Sequence, residues 1–591
     1  MNQDIKSGKA WHVLRAVTFT LLAAAAVTTA HAQDLAQELA VGKRVFDSNC
    51  AMCHTLTPDK RALMGPGLHG VIGRKVGGVR GFGYSAALAG LGENARVWTR
   101  SELDRFLNDP SAYAPGTTMP ISLADKGQRL ALLAYLENQA IPAGNAAPKT
   151  RPAVAVPNPP SAAASKPVEP GADAGSWSAD RPGRIHELKV SDLPKPFATE
   201  SVSNSPRTVP RTEGRLPAAP EGFKVSLWAK DPDRGRVMVK APNGDIFISS
   251  TPKRLVKVFR STTGETADIV STFASGMDRP FGLAFWPTGP NPQYLYVAFV
   301  NSIVRYRYQN GDLVAGSEPE VVVPRLSQAV GAHSSRTLVF SNDGRTMFLS
   351  IGSATNVAEG IGKTPPESLV GWEAKHGMGA AWGEEEGHAM VLAFDPDGKN
   401  RRTFATGLRN CVGMYVHPRT DDLLCSVNER DLLGDNLPPD YLTRVKQGAF
   451  YGWPWFYIGA HEDPRLAGHR LDLRDKVTVP DLLLTAHAAP LGMVMYEAAP
   501  SASAAFPKEY DADLFLAFHG SWNRQTRTGS KVVRVFMKEG VPTGRYQDFV
   551  TGFVASDAEV WGRPSSVAVQ KDGSLLVDDD VTGEIWRIAP K

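Results

Sequence analysis

The chain has 591 residues, 42% of them apolar and 21% charged. That is ordinary globular composition. It excludes wholesale disorder and a single small domain, since about 150 residues per domain would give roughly four. A formal net charge of +4, spread along the chain, is too weak to mark a nucleic-acid-binding protein. Four cysteines are too few for a disulfide scaffold of this length.

The N-terminus reads as an export signal. Lys6, Lys9 and Arg15 precede an uncharged run from Ala16 to Ala30, and Ala30-His31-Ala32 is an A-x-A cleavage site. The run, about 15 residues, is shorter than the ~20 that span hydrocarbon. Cleavage after Ala32 is expected, leaving no transmembrane anchor. With the haem motif below, the expected compartment is the periplasm.

Residues 33–140 form the first module. Apolar residues at spacings of three and four predict helices over Asp34–Asn49, Ser101–Asn108 and Leu123–Asn138. Cys50-Ala51-Met52-Cys53-His54 is C-x-x-C-H. Two thiols add across the haem vinyl groups and the adjacent histidine takes the iron, so one covalent haem c is expected. Residues 141–183 then turn to Pro, Ala, Ser and Gly. Eight prolines fall between 141 and 180, which predicts a semi-extended tether.

From 184 to 591 short alternating strands separated by Gly, Asp and Asn turns are predicted. Six end in small residues: Asp245–Ser249, Tyr294–Ala298, Thr346–Ser350, Asp422–Ser426, Asp513–Ala517 and Ser574–Val577. Each is followed by a second: Val256–Phe259, Ile303–Tyr306, Val391–Phe394, Leu442–Val445, Val532–Val535 and Ile585–Ile588. Six paired signatures predict an all-β six-bladed propeller with four strands per blade. A pair of β-sandwiches would show regular spacing without pairs. Cys411 and Cys425 flank a hairpin turn at His417–Asp422. A disulfide or two buried thiols would fit there, and buried thiols are the plainer expectation.

Several polar residues stand in Gly-rich loops beside these strands: His333, Arg409 with Asn410, Glu429 to Asp431, His487, His519, Arg524 and Arg563. Three arginines and three histidines recur at corresponding loops. A propeller would bring them to one mouth as a cationic pocket.

The first module resembles the class I cytochromes c of the small, mitochondrial-like type. The matching pieces are Gly42-x-x-x-Phe46-x-x-x-Cys50, Gly65-Pro66-Gly67-Leu68-His69-Gly70, Phe82-Gly83-Tyr84-Ser85, Trp98, and Pro115-Gly116-Thr117-Thr118-Met119-Pro120. The resemblance implies an all-α module with Met119 as the second axial ligand, which means electron transfer rather than oxygen chemistry. Met52 and Met64 are then packing residues, the Pro66 carbonyl accepts from His54, and Thr118 stands where relatives often carry lysine.

The region 184–591 resembles the pyrroloquinoline quinone (PQQ)-dependent sugar dehydrogenases of the soluble glucose and sorbosone dehydrogenase group. The segments around His333, Arg409-Asn410, Tyr451-Gly452-Trp453-Pro454, His487, His519–Arg524 and Arg563 carry it. By that resemblance Arg409, Asn410, Arg524 and Arg563 hold the tricarboxylate cofactor. His487 stands where the glucose enzymes use a hydroxyl side chain. Calcium would be held at Glu429, Asp431 and Leu432, partly by main-chain carbonyls of the Arg430-Asp431-Leu432 stretch with Glu429 close by, where those enzymes carry Gly-Pro. His333 is the implied general base, hydride passes to the quinone C5, and Arg409 stabilises the developing charge. The implied whole is a periplasmic quinohaemoprotein dehydrogenase. It would oxidise a sugar, aldehyde or alcohol and pass electrons through its own haem to a cytochrome, quinone or oxidase. Two alternatives stand beside it: a calcium-dependent lactonase-like propeller, and a non-catalytic docking propeller, each fused to an electron-transfer cytochrome.

Overall fold

The computed structural model describes residues 35–139 and 175–591, apart from 47, 48, 52, 57–64, 80, 81, 116, 118, 120, 121, 124, 329, 330, 363, 366 and 500. The expected export signal, most of the expected tether, and Met52, Met64 and Thr118 lie outside the described residues. The chain divides into two compact units, with the boundary after Ala155.

The first unit is helical: 35–46, Ala86–Glu93, Arg100–Asn108, Pro110–Tyr113 and Lys126–Asn138. Side-chain caps fix several starts. Thr99 accepts from the Glu102 amide and Asp125 from the Gln128 amide, each satisfying a donor that the helix leaves open. The helix Ala86–Glu93 was not predicted, because its Ala/Gly sequence carries no amphipathic stripe. Phe46, Val71, Trp98, Leu103, Phe106, Leu132, Leu133 and Leu136 form the core.

Two small sheets aside, the second unit contains six antiparallel sheets of four or five strands whose successive strands follow chain order. They span 237–275, 283–323, 338–406, 411–483, 490–550 and 564–590. The last is completed by Phe223–Lys230, which pairs with Glu584–Pro590 and so joins the two ends of this unit. The first strands of all six line one central cavity of about 500 Å³. These strands are Val237–Lys240, Leu283–Trp286, Leu338–Phe340, Cys411–Val416, Pro490–Met495 and Pro564–Val569. The result is a propeller-like fold.

All twelve expected strands are present, as the second and third strand of each sheet. Of the innermost strands, Thr337–Phe340 and Leu491–Tyr496 are legible in the sequence and lie at Leu338–Phe340 and Pro490–Met495, whereas the others carry a weaker signal. They are apolar on both faces or broken by Gly and Pro, so they lack the alternation that marks a half-buried strand. Gly413 shows why: a Cβ there would lie 2.0 Å from the Leu491 carbonyl. Neighbouring sheets approach too closely at the axis for a side chain.

Residues 175–183, expected as tether, are folded instead. Trp177 donates its backbone N–H to the Arg527 carbonyl, and Ile185–Glu187 adds a fifth strand to the fifth sheet. The anchor is polar, which composition could not reveal. The Lys531 ammonium lies 2.7 Å from both Asp180 and Asp548. His186 meets Asp548 at 2.9 Å and stacks on Tyr546. Asp180, His186 and Asp548 could surround a metal ion. The buried ammonium already stands against both carboxylates, so this network fastens the segment and needs no added cation.

Cys411 and Cys425 form a disulfide, with Cα atoms 5.8 Å apart. This corrects the expectation of buried thiols. The bulge between Cys411 and Gly413 shifts the register and brings a diagonal pair together. Closing a loop of about 15 residues contributes roughly 3 kcal/mol by constraining the unfolded chain. A Cys411→Ser/Cys425→Ser variant should therefore unfold at clearly lower urea concentration, followed by propeller tryptophan fluorescence. An unchanged midpoint would remove the bond from the stability of this unit. Among the described residues, no helix is long and apolar enough to cross a membrane.

Candidate functional site

In the first unit the C-x-x-C-H motif follows the first helix. Cys50 is buried and Cys53 partly so, and neither is in a disulfide. Burial pushes the Cys53 thiol up to about 12, so it is a neutral thiol ready for thioether chemistry rather than a thiolate. His54 is buried, and its Nδ1 lies 2.7 Å from the Pro66 carbonyl. A carbonyl only accepts, so the proton is on Nδ1 and the Nε2 lone pair is available to iron. Burial holds this imidazole below its usual pKa, which keeps it neutral. Met119 packs against the same core. Two thiols, a neutral imidazole and a thioether are the donor set of a c-type haem, so the residues fit the group. Tyr84 accepts from the Val79 amide, whereas Trp98 stacks with Tyr113 and is a packing residue.

Gly65 matters here because a Cβ would stand 2.3 Å from His54 Cε1. Gly65→Ala should displace the imidazole and lose the low-spin Soret spectrum of the purified protein. An unaltered spectrum would show that the ring has room.

In the second unit strand order sets the site. Each sheet is antiparallel in chain order, so the start of its first strand and the end of its second lie at the same end. One mouth therefore collects Arg236, His333, Arg409, Asn410, His487 and Arg563 before first strands. It also collects Ser353–Asn356, Glu429–Asp431, His519 and Asp580 after second strands.

His333, Arg409 and Asn410 stand around the Ser353–Asn356 loop and its neighbours. His333 Nδ1 lies 2.8 Å from the Ser353 carbonyl, so it carries the proton and Nε2 holds the lone pair. Burial, helped by Arg409, holds its pKa at about 3, leaving a neutral base at any physiological pH. Arg409 is buried, and four of its five N–H donors have protein acceptors. Its Nε and one Nη donate to the carbonyl and Oδ1 of Asn356, at 3.0 and 2.7 Å. The other Nη donates to the Asn428 and Glu429 carbonyls. Asn410 accepts from the Ser335 hydroxyl.

His487 joins this group through Asp431. Its Nδ1 is 3.2 Å from the Asp431 carboxylate and its Nε2 2.9 Å from the Gly434 carbonyl. Both ring nitrogens face acceptors, so the ring is an imidazolium. Burial opposes that charge, but Asp431 outweighs it and raises the pKa. His487 and Leu432 both adopt left-handed backbone, φ 62° and 70°, a strain that clusters at functional sites. Two of the buried polar atoms with no hydrogen-bond partner among the described residues lie beside this group: Glu429 Oε1 and the Trp453 indole N–H. The Trp453 ring lies under the Arg409 guanidinium at 5.6 Å. Burial pushes the Glu429 carboxyl up to about 7, so a cation beside Oε1 would relieve it. Asp431 is committed to His487, and Leu432 donates its backbone N–H to Asn523. Among the side-chain oxygens of the expected calcium ligands, Glu429 Oε1 is buried without a hydrogen-bond partner.

A second cluster gathers across the same mouth. His519 Nε2 lies 2.8 Å from Asp580, which also pairs with Arg236. Arg563 donates to the His519 and Gly520 carbonyls, both at 2.9 Å. Arg236 and Asp580 were not predicted; the run Asp578-Asp579-Asp580 at a strand end was the available signal. Arg524 is set apart. Its guanidinium is bonded to the Thr526 and Asp435 carbonyls, so it clamps loops. The mouth is also less cationic than expected, because Asp431 and Asp580 accompany the arginines. Residues able to bind a planar polycarboxylate are present in Arg409, Asn410, Trp453, Arg236 and Arg563, and a neutral base stands beside them.

Comparison with known proteins agrees with this division. A family model described as TrAA12-like matches residues 217–437 and 472–591, over half of the chain. An uncharacterized protein of Borreliella burgdorferi is 26% identical over 383 residues, covering 62% of this chain and 89% of its own. Cytochrome c type-1 of Ascaris suum is 42% identical over 99 residues, 17% of this chain and 85% of its own. The holo form of the pyranose dehydrogenase PQQ domain from Coprinopsis cinerea superposes with a TM-score of 0.50 at 19% identity, over 64% of this chain and 98% of that one. The calcium structure of a Trichoderma reesei family AA12 enzyme gives 0.50 at 19%, over 64% and 97%. The fold of the second unit is shared with these structures. The chain belongs to the cytochromes c through its first unit and to the TrAA12-like family through its second.

Proposed function

We propose that this chain is a quinohaemoprotein dehydrogenase: a six-bladed propeller that uses PQQ, joined to an all-α cytochrome c carrying one haem. The observation that carries the reading is the neutral, buried His333 held beside Arg409 and Asn410 at the propeller mouth. PQQ, when bound, supplies a two-electron quinone acceptor. Arg409, Asn410 and Arg563 would hold it, and Arg236 faces the same mouth. His333 takes the proton of a substrate hydroxyl at Nε2, while its Nδ1–H stays on the Ser353 carbonyl. Arg409 places a fixed positive charge where oxygen charge develops, and its carbonyl cradle removes any need to reorganise. Glu429 would supply a carboxylate oxygen to calcium, with Asp431 and Leu432 shaping the loop around it.

The substrate class is a sugar, aldehyde hydrate or alcohol, since the base needs a hydroxyl. His54 and Met119 would hold the haem iron, and a downstream cytochrome, quinone or oxidase would accept its electrons. The A-x-A signal supports export, with cleavage after Ala32 and a periplasmic site. A calcium lactonase needs several side-chain ligands converging on the metal. Among the described residues, the mouth gathers no three carboxylate or imidazole groups within ligand distance of one another.

The test is reconstitution. Purified apoprotein with PQQ and calcium should turn over aldoses, sorbosone, aldehydes or alcohols with an artificial dye, and omission of PQQ should abolish it. Lactone hydrolysis in place of dye reduction would favour the lactonase. Absence of both PQQ binding and turnover would favour the docking propeller.

A further inference from the structure

The insertion between Met347–Ile351 and Met390–Phe394 holds a carboxylate that the proposed reaction leaves unused. Glu385 sits on the short turn Gly383–Glu385 and is completely buried. It has no ion-pair partner among the described residues. Its two oxygens accept from three donors: the Ala354 N–H at 2.8 Å, the Thr355 N–H at 2.9 Å and the Thr355 hydroxyl at 2.5 Å. All three belong to one loop, Ser353–Asn356. That loop reaches both residues of the proposed chemistry. Its Ser353 carbonyl and hydroxyl meet His333 Nδ1 at 2.8 and 3.0 Å. The Ser353 N–H donates to the Arg409 carbonyl at 2.6 Å. The Asn356 carbonyl and side chain receive the Arg409 guanidinium. The Ala354 carbonyl receives the Ala332 N–H, next to His333 in the chain.

We propose that Glu385 is a positioning residue for the reaction assigned above: by clamping Ser353–Asn356 it fixes both the tautomer of His333 and the seat of Arg409. This inference rests on the dehydrogenase reading for its catalytic consequence, and on geometry alone for its structural one. The physical reason for a carboxylate is acceptor count. Two adjacent backbone N–H groups and a hydroxyl converge, and only a carboxylate offers two acceptor oxygens with no donor. A glutamine would satisfy one N–H and turn its own amide hydrogens on the other. A buried donor would be left unpaired, and the loop would shift to relieve it. A displaced Ser353 carbonyl would release the Nδ1 proton, so that His333 samples both tautomers and its lone pair is no longer held on Nε2. The cost of such small misplacement is large in catalysis and small in binding.

The experiment uses full-length protein with ¹⁵N-labelled histidine. His333 signals are assigned by their loss in His333→Ala. In wild-type apoprotein the ring should show one tautomer, protonated on Nδ1. In Glu385→Gln it should show averaged nitrogen shifts. After loading with PQQ and calcium, kcat should fall about 10- to 100-fold, while PQQ affinity changes less than about threefold. A merely structural residue would lower the unfolding temperature without moving the tautomer. Wild-type nitrogen shifts in a folded Glu385→Gln protein overturn the proposal, as does an unchanged kcat. Should that variant fail to fold, Thr355→Val removes the hydroxyl contact to Glu385, together with the Glu359 N–H contact to that hydroxyl, but keeps both backbone N–H contacts, and is expected to shift the His333 signals in the same direction. An unchanged tautomer there also overturns it. If wild-type protein shows no PQQ-dependent turnover, the dehydrogenase reading fails, and the apoprotein shifts still decide the role of Glu385.

Discussion

Replacing His333 with alanine is expected to leave PQQ bound and to lower turnover by about 10²–10⁴, the usual contribution of one general base. The two effects separate because the ring and the charges around it do different work. Arg409 and Asn410 keep their partners when the imidazole is removed, since Arg409 is held by Asn356, Asn428 and Glu429 rather than by His333. PQQ affinity, read by fluorescence quenching of the apoprotein, should therefore stay near wild type. Dye-linked turnover should collapse. The pH dependence carries further information. The free-enzyme imidazole titrates near 3 because burial disfavours its charge, with Arg409 adding to the effect. The base is thus available throughout the neutral range, and no loss of kcat/KM between pH 5 and 8 should trace to His333. Normal turnover in His333→Ala would remove this residue from the mechanism. Arg409→Ala should show the opposite pattern, with weakened PQQ binding as the leading defect.

Much of this site was legible before any coordinates. C-x-x-C-H is local, so His54 and its neighbours could be read directly, and the resemblance added Met119. The propeller was legible through its middle strands, where one apolar face alternates with turns. Its axis was legible only in part, because strands such as Val237–Lys240 and Pro564–Val569 carry no clear period. His333 and Arg409 stood out as charged groups in Gly-rich loops at strand ends. Their partners did not. Ser353 and Asn356 act through ordinary hydroxyl and amide groups, and Arg236 and Asp580 are far apart in sequence. They meet because chain-ordered antiparallel sheets return to the same mouth. Arg524 matched the motif yet serves as a loop clamp, a distinction set by which carbonyls surround it. The fold of residues 175–183 was hidden for a related reason. A Pro/Ala-rich composition predicts failure to build a core, and this segment is held by Lys531, Asp548 and Tyr546 instead.

Substrate added anaerobically to reconstituted protein is expected to reduce the haem with no added mediator. A two-electron donor and a one-electron acceptor on one chain need two successive transfers. Covalent connection of the two units makes each transfer intramolecular and raises the effective concentration of the acceptor. The anchoring of 175–187 on the propeller refines where the connection can be cut. A protease site placed within 141–174 leaves the Asp180–Lys531–Asp548 network intact, so cleavage should not disturb the propeller. After cleavage, haem reduction followed by stopped-flow should slow, and its rate should become proportional to the concentration of the released cytochrome unit, because transfer is now bimolecular. Dye-linked turnover should be unaffected, since the dye reaches the propeller directly. A rate of haem reduction that ignores both cleavage and concentration would mean that the two units stay docked without the connection. Persistent dye-linked turnover with a haem that never reduces would mean that the cytochrome unit serves a different donor, and the fusion would then have no part in this propeller's electron route.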